Sequence, residues 1–397
     1  MRSLFFSAFV AYAATGCAAY HSVEVLHPAD VMVPGHIQTV IVIDRSSPDN
    51  VGSTVLGALE GAITGEGIMA DPEGRTAAIN ELAWALRESD RYEILVPNVT
   101  PKEVDSGVFD KQMDWALAKR LCNKHKCDGI ISLEAFDSDT DILNLNNGLP
   151  VRTSDAGVDV YGARRNTRVM TSWRFYDTTQ KAILDEQRER TYTRSWDNEG
   201  PNLNDARGGL PMPNETVKAL GKNAGAGYAG RISPTWTWES RTWYSKGSPD
   251  MRMAKRYVKA GDWEGAAEIW RRMAASPDLS KPRVTGKAKF NLALYNERKG
   301  NLRVALERAR EAAVIVPTAR ARSYVAVLER RLRDQERLAQ QMAEAEEGRK
   351  AAEAAAEAQR AKAAEKGSSG GSSKPSSGGS SKPSSSSGSG TPPVTKD

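Results

Sequence analysis

The chain has 397 residues, of which 26% are charged and 40% hydrophobic, with a net charge of +5 and 3 cysteines. That length leaves room for two domains with extensions. Beyond the N-terminal apolar stretch no run of 18 uncharged apolar residues occurs, so no later segment suits a membrane-spanning helix.

Arg2 supplies a positive charge, and Leu4 to Ala14 is an apolar run of signal-peptide length. The small residues Ala14-Thr15-Gly16 lead directly into Cys17. This order marks residues 1–16 as a lipoprotein signal peptide and Cys17 as the lipidated first residue of the mature chain. An ordinary cleaved signal is the alternative. Ala18 and Ala19 follow, with no aspartate that would hold the protein at the inner membrane, so the outer membrane is expected. Which side of it the chain faces is left open.

Export changes how charge and cysteines are read. Residues 1–250 carry 26 Lys+Arg against 33 Asp+Glu, whereas residues 251–397 carry 29 against 17. A basic half ordinarily points to nucleic acid. Outside the cytoplasm, acidic proteins or envelope polymers are the partners to expect. With Cys17 lipidated, Cys122 and Cys127 remain, five residues apart. In an oxidising compartment they form a candidate disulfide. Free buried thiols are the second reading. A metal site with His125 is the third, but three ligands in six residues is poor zinc spacing.

In chain order, residues 17–36 form a lead segment in which Ser22 to Leu26 suits an edge strand. Thr39 to Asp44 is a β-branched run, the mark of a strand buried on both faces. Gly57, Gly61 and Gly65 fall four apart, for close helix packing or a mobile loop; no phosphate-loop Lys follows them. A helix is expected over 75–88, a strand over 92–96, a helix over 109–123 and a strand over 128–136. That alternation implies a sheet with parallel neighbours. Strands over 157–161, 167–176 and 182–192 then follow without helices, with a turn at Asp177 to Gln180. A polar loop spans 197–213. The helix expected over 214–230 carries Gly221, Gly225, Gly227 and Gly230, so it needs a surface to pack on.

Residues 232–250 are a Trp-rich joint between domains. Trp236, Trp238, Arg241, Trp243 and Tyr244, with Trp263 and Trp270 beyond, are candidate binding residues, although buried interdomain packing is the expected use of aromatics this dense. From residue 251 two segments align at tetratricopeptide spacing. Gly261-Asp-Trp263 with Ala266 matches Gly300-Asn-Leu302 with Ala305, five residues longer than the usual 34. The repeats and a capping helix occupy 251–340, a charged helix 341–366, and a flexible Ser/Gly/Pro tail 367–397.

No Ser-His-Asp or Cys-His constellation is present. Asp137, Asp139 and Asp141 alternate like the start of a calcium loop, but Ile142 and Gly148 stand where that loop needs Gly and Glu, so a solvated loop is expected. Glu134 and Asp137 are the residues a hydrolase would use. No metal or cofactor is expected.

The strand Val40 to Ile43, the strand at Tyr92, Cys127 to Ile131 and the hairpin at Asp177 resemble the α/β module of the curli secretion lipoprotein, the Tol-propeller N-terminal domain and lipoprotein activators of peptidoglycan synthases. Those proteins carry Pro-Phe after the first strand, where this chain has Asp44-Arg45. From Cys17 to Pro317 the chain also resembles a family of Bacteroidetes envelope lipoproteins, the domain of unknown function DUF6340. Its carrying stretches are residues 34–43, 127–137, 234–236 with 241–244, and 261–270. That resemblance implies location and architecture but no activity.

The expectation is therefore an α+β chain. A mixed-sheet α/β module over 37–231 precedes an all-α tetratricopeptide-like repeat, a long helix and a disordered tail. Its expected role is a lipid-anchored outer-membrane scaffold that binds envelope proteins through the repeats, without catalysis and without nucleic acid. The alternative is a glycan or peptidoglycan binder using the Trp-rich joint; a hydrolase comes third.

Overall fold

The computed structural model describes residues 18–46, 70–89, 91–100, 103–104, 111–152, 157–275 and 281–368. The leader with Cys17, the Gly57 to Gly65 stretch and the tail from residue 369 lie outside the described residues.

Strand β1 (Ala18–His27) opens the described chain, and β2 (Thr39–Asp44) is an interior strand of the α/β sheet. β2 pairs in parallel with β3 (Glu93–Leu95) on one side and β4 (Gly129–Asn144) on the other. β6 (Asp159–Asp177) runs antiparallel to β4, and β7 (Ala182–Gly200) antiparallel to β6; the short β5 (Val151–Arg152) also pairs with β6. Val40 and Val42 enter one core and Ile41 and Ile43 another, on opposite faces of the sheet. Both faces are covered, which is why β2 reads as an unbroken β-branched run.

Helices α1 (Ala70–Arg87) and α4 (Pro213–Ile232) cover the first face, and α2 (Trp115–His125) covers the second. α1 begins five residues before its expected start, with Pro72 in the first turn, where its missing N–H costs nothing. α2 begins later than expected, because the Asp114 carboxylate accepts from the Ala116 and Leu117 amides at 2.9 and 3.2 Å and caps the helix there. The short α3 (Leu203–Gly208) follows β7.

Three expectations change in the sheet. The strands expected over 157–161 and 167–176 are one strand, β6. β4 continues to Asn144, so Asp137 to Asp141 is strand rather than loop. β7 runs to Gly200, eight residues past its expected end. The reason is one period-two pattern. Ser138 and Thr140 are buried while Asp137, Asp139 and Asp141 point outward. The outward carboxylate of Asp139 pairs with Arg168 directly opposite, and Asp197 on β7 pairs with Arg164 on β6 at 2.6 and 2.7 Å. Such cross-strand pairs let polar sequence extend as strand.

The remaining elements are β8 (Thr235–Tyr244), α5 (Pro249–Lys259), α6 (Trp263–Ala275), α7 (Pro282–Arg298), α8 (Leu302–Ile315) and α9 (Ala319–Ser368). α5–α6 and α7–α8 are two helical hairpins. Gly261 (φ 81°) and Gly300 (φ 78°) take the left-handed conformation in their turns, which explains glycine at both places. Ala266, Ala305 and Ala312 are buried where helices meet.

The expected boundary between 340 and 341 falls inside α9, which is one continuous helix of good helix formers. The chain divides instead into compact units at Arg349/Lys350. Within the first unit α9 crosses the lead segment. The Ala29 amide donates to Gln341 Oε1 at 3.0 Å, Gln341 and Arg337 donate to the Ala29 carbonyl at 2.9 and 2.8 Å, and the Gly35 amide donates to Glu344 Oε1 at 3.0 Å. Gly35 and Gly348 meet backbone to backbone, with no room for a Cβ on either.

α4 meets α1 the same way. A Cβ on Gly225 would lie 2.1 Å from the Ala78 carbonyl oxygen and 2.8 Å from the Leu82 nitrogen. On an isolated helix Gly225→Ala gains about 1 kcal/mol. Here it is expected to destabilise by about 1–3 kcal/mol through overpacking. Urea denaturation decides this, and a variant more stable than the parent would contradict the close contact.

Candidate functional site

β1 and β8 pair antiparallel over their full lengths, from Ala18 opposite Tyr244 to His27 opposite Thr235. The expected joint is therefore half of a two-stranded ribbon, and the lead segment supplies the other half. Alternation gives the ribbon two faces. Val23, Val25, Arg241 and Trp243 point inward, and Tyr20, Trp236 and Trp238 point outward.

The inner face packs on the helical hairpins. Trp243, Trp263 and Trp270 form an edge-to-face triad with centroids 6.1–6.3 Å apart. Each such pair contributes about 0.5–1.5 kcal/mol beyond its burial. The His21 ring lies 4.4 Å from Trp263; burial, then the nearby Arg298 charge, lowers its pKa. Tyr244 packs on Phe290, and its backbone exchanges two hydrogen bonds with the Asn291 side chain, at 2.7 and 2.8 Å.

The Arg241 guanidinium donates to Glu297 on α7 at 3.0–3.1 Å and lies 2.5 Å from Glu239. Burial pushes Glu239 upward, but its hydrogen bond and charge contact with Arg241 outweigh this and hold it below the usual carboxylate range. Glu297, fully buried, also accepts from Tyr324 Oη at 2.7 Å and Arg331 at 2.6 Å, both on α9. One carboxylate thus ties ribbon, hairpin and long helix together.

These contacts correct the expected binding set. Arg241, Trp243, Trp263 and Trp270 are core residues, and Tyr244 is half-buried under Lys287 and Arg320. Strand alternation turns Arg241 and Trp243 inward, and the hairpin buries Trp263 and Trp270 against Trp243. Trp236 and Trp238 stay open, 60% and 70% exposed, and Tyr20, 74% exposed, joins them. Tyr20 was missed because the lead read as a strand only from Ser22; extending the alternation two residues back finds it.

In the α/β module Cys122 and Cys127 are bonded, with Cα atoms 4.5 Å apart. The bond closes the end of α2, where Lys126 is left-handed (φ 55°) and the Cys127 amide donates to the Cys122 carbonyl at 3.0 Å. Glu134 is not open to solvent. It accepts from Arg45 at 2.6 and 2.8 Å, from Tyr176 at 2.9 Å and from Ser132 at 2.5 Å, all buried. Asp137 is exposed, so the two carboxylates do not share a cleft. Among the described residues no group of three His, Cys, Asp or Glu side chains converges to hold a metal, and no helix is long and apolar enough to cross a membrane.

Concave regions also stand apart from the ribbon. A cleft of about 320 Å³ lies where α9 crosses the lead segment, lined by Met32, Arg91, Tyr92, Pro234 and Met342 among others. Between α8 and α9 a second cleft is lined by Leu306 and Leu332, with Arg303, Glu307 and Arg310 beside them and Val314 82% exposed.

Residues 37–244, just over half of the chain, match the family described as Domain of unknown function (DUF8603). Residues 252–330 match Domain of unknown function (DUF6340). The likeness expected from Cys17 to Pro317 is thus confined to the helical part, and the α/β module belongs to a different family. No curated protein matches the chain. Among solved structures a hypothetical protein from Chlamydia trachomatis is similar at 13% identity, covering 49% of this chain and 97% of that one. Its TM-score is 0.19, too low a superposition to assign a fold.

Glu297→Ala leaves Arg241 and Arg331 facing a buried void. A loss of about 3–5 kcal/mol is expected, the cost of breaking a buried pair from one side. Glu297→Gln, which still accepts hydrogen bonds, loses less. Equilibrium denaturation of both variants measures this; a change under about 1 kcal/mol for Glu297→Ala would show that the carboxylate does not hold the three elements.

Proposed function

The chain belongs to the family described as Domain of unknown function (DUF8603), and from its own residues we propose a lipid-anchored protein of the bacterial cell envelope. Cys17 carries the lipid and holds it in the outer membrane, as in the Bacteroidetes lipoproteins it resembles. The tetratricopeptide-type hairpins bind partner proteins, and the chain catalyses no reaction itself.

The observation that carries the binding role is the α8–α9 cleft. Leu306, Leu332 and the exposed Val314 offer apolar contact, and Arg303, Glu307 and Arg310 offer charges of both signs beside it. A mixed apolar and charged patch on rigid helices suits a folded protein or an amphipathic helix. The burial of Glu134 against Arg45 weighs against the hydrolase reading, since a carboxylate closed from solvent reaches no substrate. The glycan alternative retains Trp236 and Trp238 alone.

Cys17→Ala is expected to move the protein from the membrane pellet to the soluble fraction; persistence in carbonate-washed membranes would refute lipid anchoring. A photo-crosslinking residue at Val314 should give one discrete adduct in living cells. The same residue at Trp84, exposed on α1, serves as control. Identical smears from both positions, with no discrete band, would sink the α8–α9 cleft as the docking site.

A further inference from the structure

We infer that the outer face of the β1–β8 ribbon rests on the phospholipid surface to which the chain is tethered, with Tyr20, Trp236 and Trp238 at the headgroup level. This rests on the lipidation of Cys17 proposed above.

The first support is position. β1 begins at Ala18, the residue after Cys17, and Tyr20 is the third residue beyond that cysteine. An extended chain advances about 3.3 Å per residue, so Tyr20 stands within about 10 Å of the acylated residue. The ribbon continues from there for the rest of its ten residues. A chain anchored at Cys17 has this strand beside the bilayer before any other element.

The second support is chemistry. Opposite Tyr20 is Thr242, opposite Ser22 is Ser240, opposite Glu24 is Trp238, and opposite Leu26 is Trp236. The outward surface is therefore aromatic rings set among hydroxyls, with Glu24 as its single formal charge. Tyr and Trp carry an apolar body and a polar tip, and they collect at membrane–water interfaces for that reason. The fold does not use these rings: all three are more than half exposed, whereas the inward Trp243 is 3% exposed.

The third support is rigidity. The inner face is fixed by the tryptophan triad and by Arg241 on Glu297, so the outer rings form a set platform. The lipid supplies the attachment, and tethering makes the second contact intramolecular, at an effective concentration on the order of millimolar. Weak interfacial preferences then suffice to choose one face. Because the helical hairpins pack on the opposite face of the ribbon, this orientation turns them away from the membrane, toward partners.

The test uses the full chain purified from membranes and placed in phosphatidylethanolamine/phosphatidylglycerol vesicles, with and without brominated acyl chains that quench nearby indoles. Quenching of the parent protein is expected, Trp236→Phe/Trp238→Phe should lose most of it, and Trp84→Phe should keep it. Equal quenching in parent and double variant, on protein whose intact mass includes the acyl chains, overturns the orientation and leaves the anchor standing. A mass without acyl chains overturns both. Shielding of the two indoles by peptidoglycan fragments, or by self-association without lipid, in place of quenching by brominated vesicles would assign the face to a glycan or a second copy and overturn it as well.

Discussion

The Glu297 carboxylate is the point on which the C-terminal half depends. It sits on α7 and receives Arg241 from β8 and both Tyr324 and Arg331 from α9. A buried charge is tolerated only when paired and hydrogen-bonded, so each partner is obliged to stay. Burial, with the Glu297 charge second, pushes the Tyr324 phenol well above its ordinary pKa, which keeps it a donor. With the ribbon fixed in this way, its inner tryptophans become core and its outer ones become surface.

A similar arrangement holds the α/β module. Arg45 and Glu134 close the end of β2 against β4, with Tyr176 bridging from β6. Arg45 brings a buried charge, and Glu134 is the group that answers it. The residues that looked most like chemistry in this half, Glu134 and the Asp137 to Asp141 run, serve as an internal ion pair and as an outward strand face.

α9 joins the two halves. It takes part in the Glu297 cluster at Tyr324 and Arg331, then reaches Ala29 and Gly35 two to four turns later. The glycine contact between Gly35 and Gly348 lets helix and lead segment approach without side chains between them. The lead segment is also the continuation of β1. Ribbon, module and helix are thus closed into a single unit extending to Arg349.

Local pattern was enough for much of this. The β-branched run of β2, the apolar stripe of α1 and the paired Gly261 and Gly300 turns each follow from the geometry of a single element, so the sequence by itself determined these elements and the change from α/β to all-α. It also singled out Cys122 and Cys127 by number and spacing. It did not determine which side of β8 each tryptophan takes, because that depends on β1, more than 200 residues away in sequence. Nor could it mark Glu297, whose role exists only once β8 and α9 arrive beside α7, or reveal that the glycines of α4 are contacts rather than weaknesses. Alternation and helical period are local properties of the chain. Which face is buried, and which carboxylate is paired, are decided by neighbours that only the tertiary structure brings together.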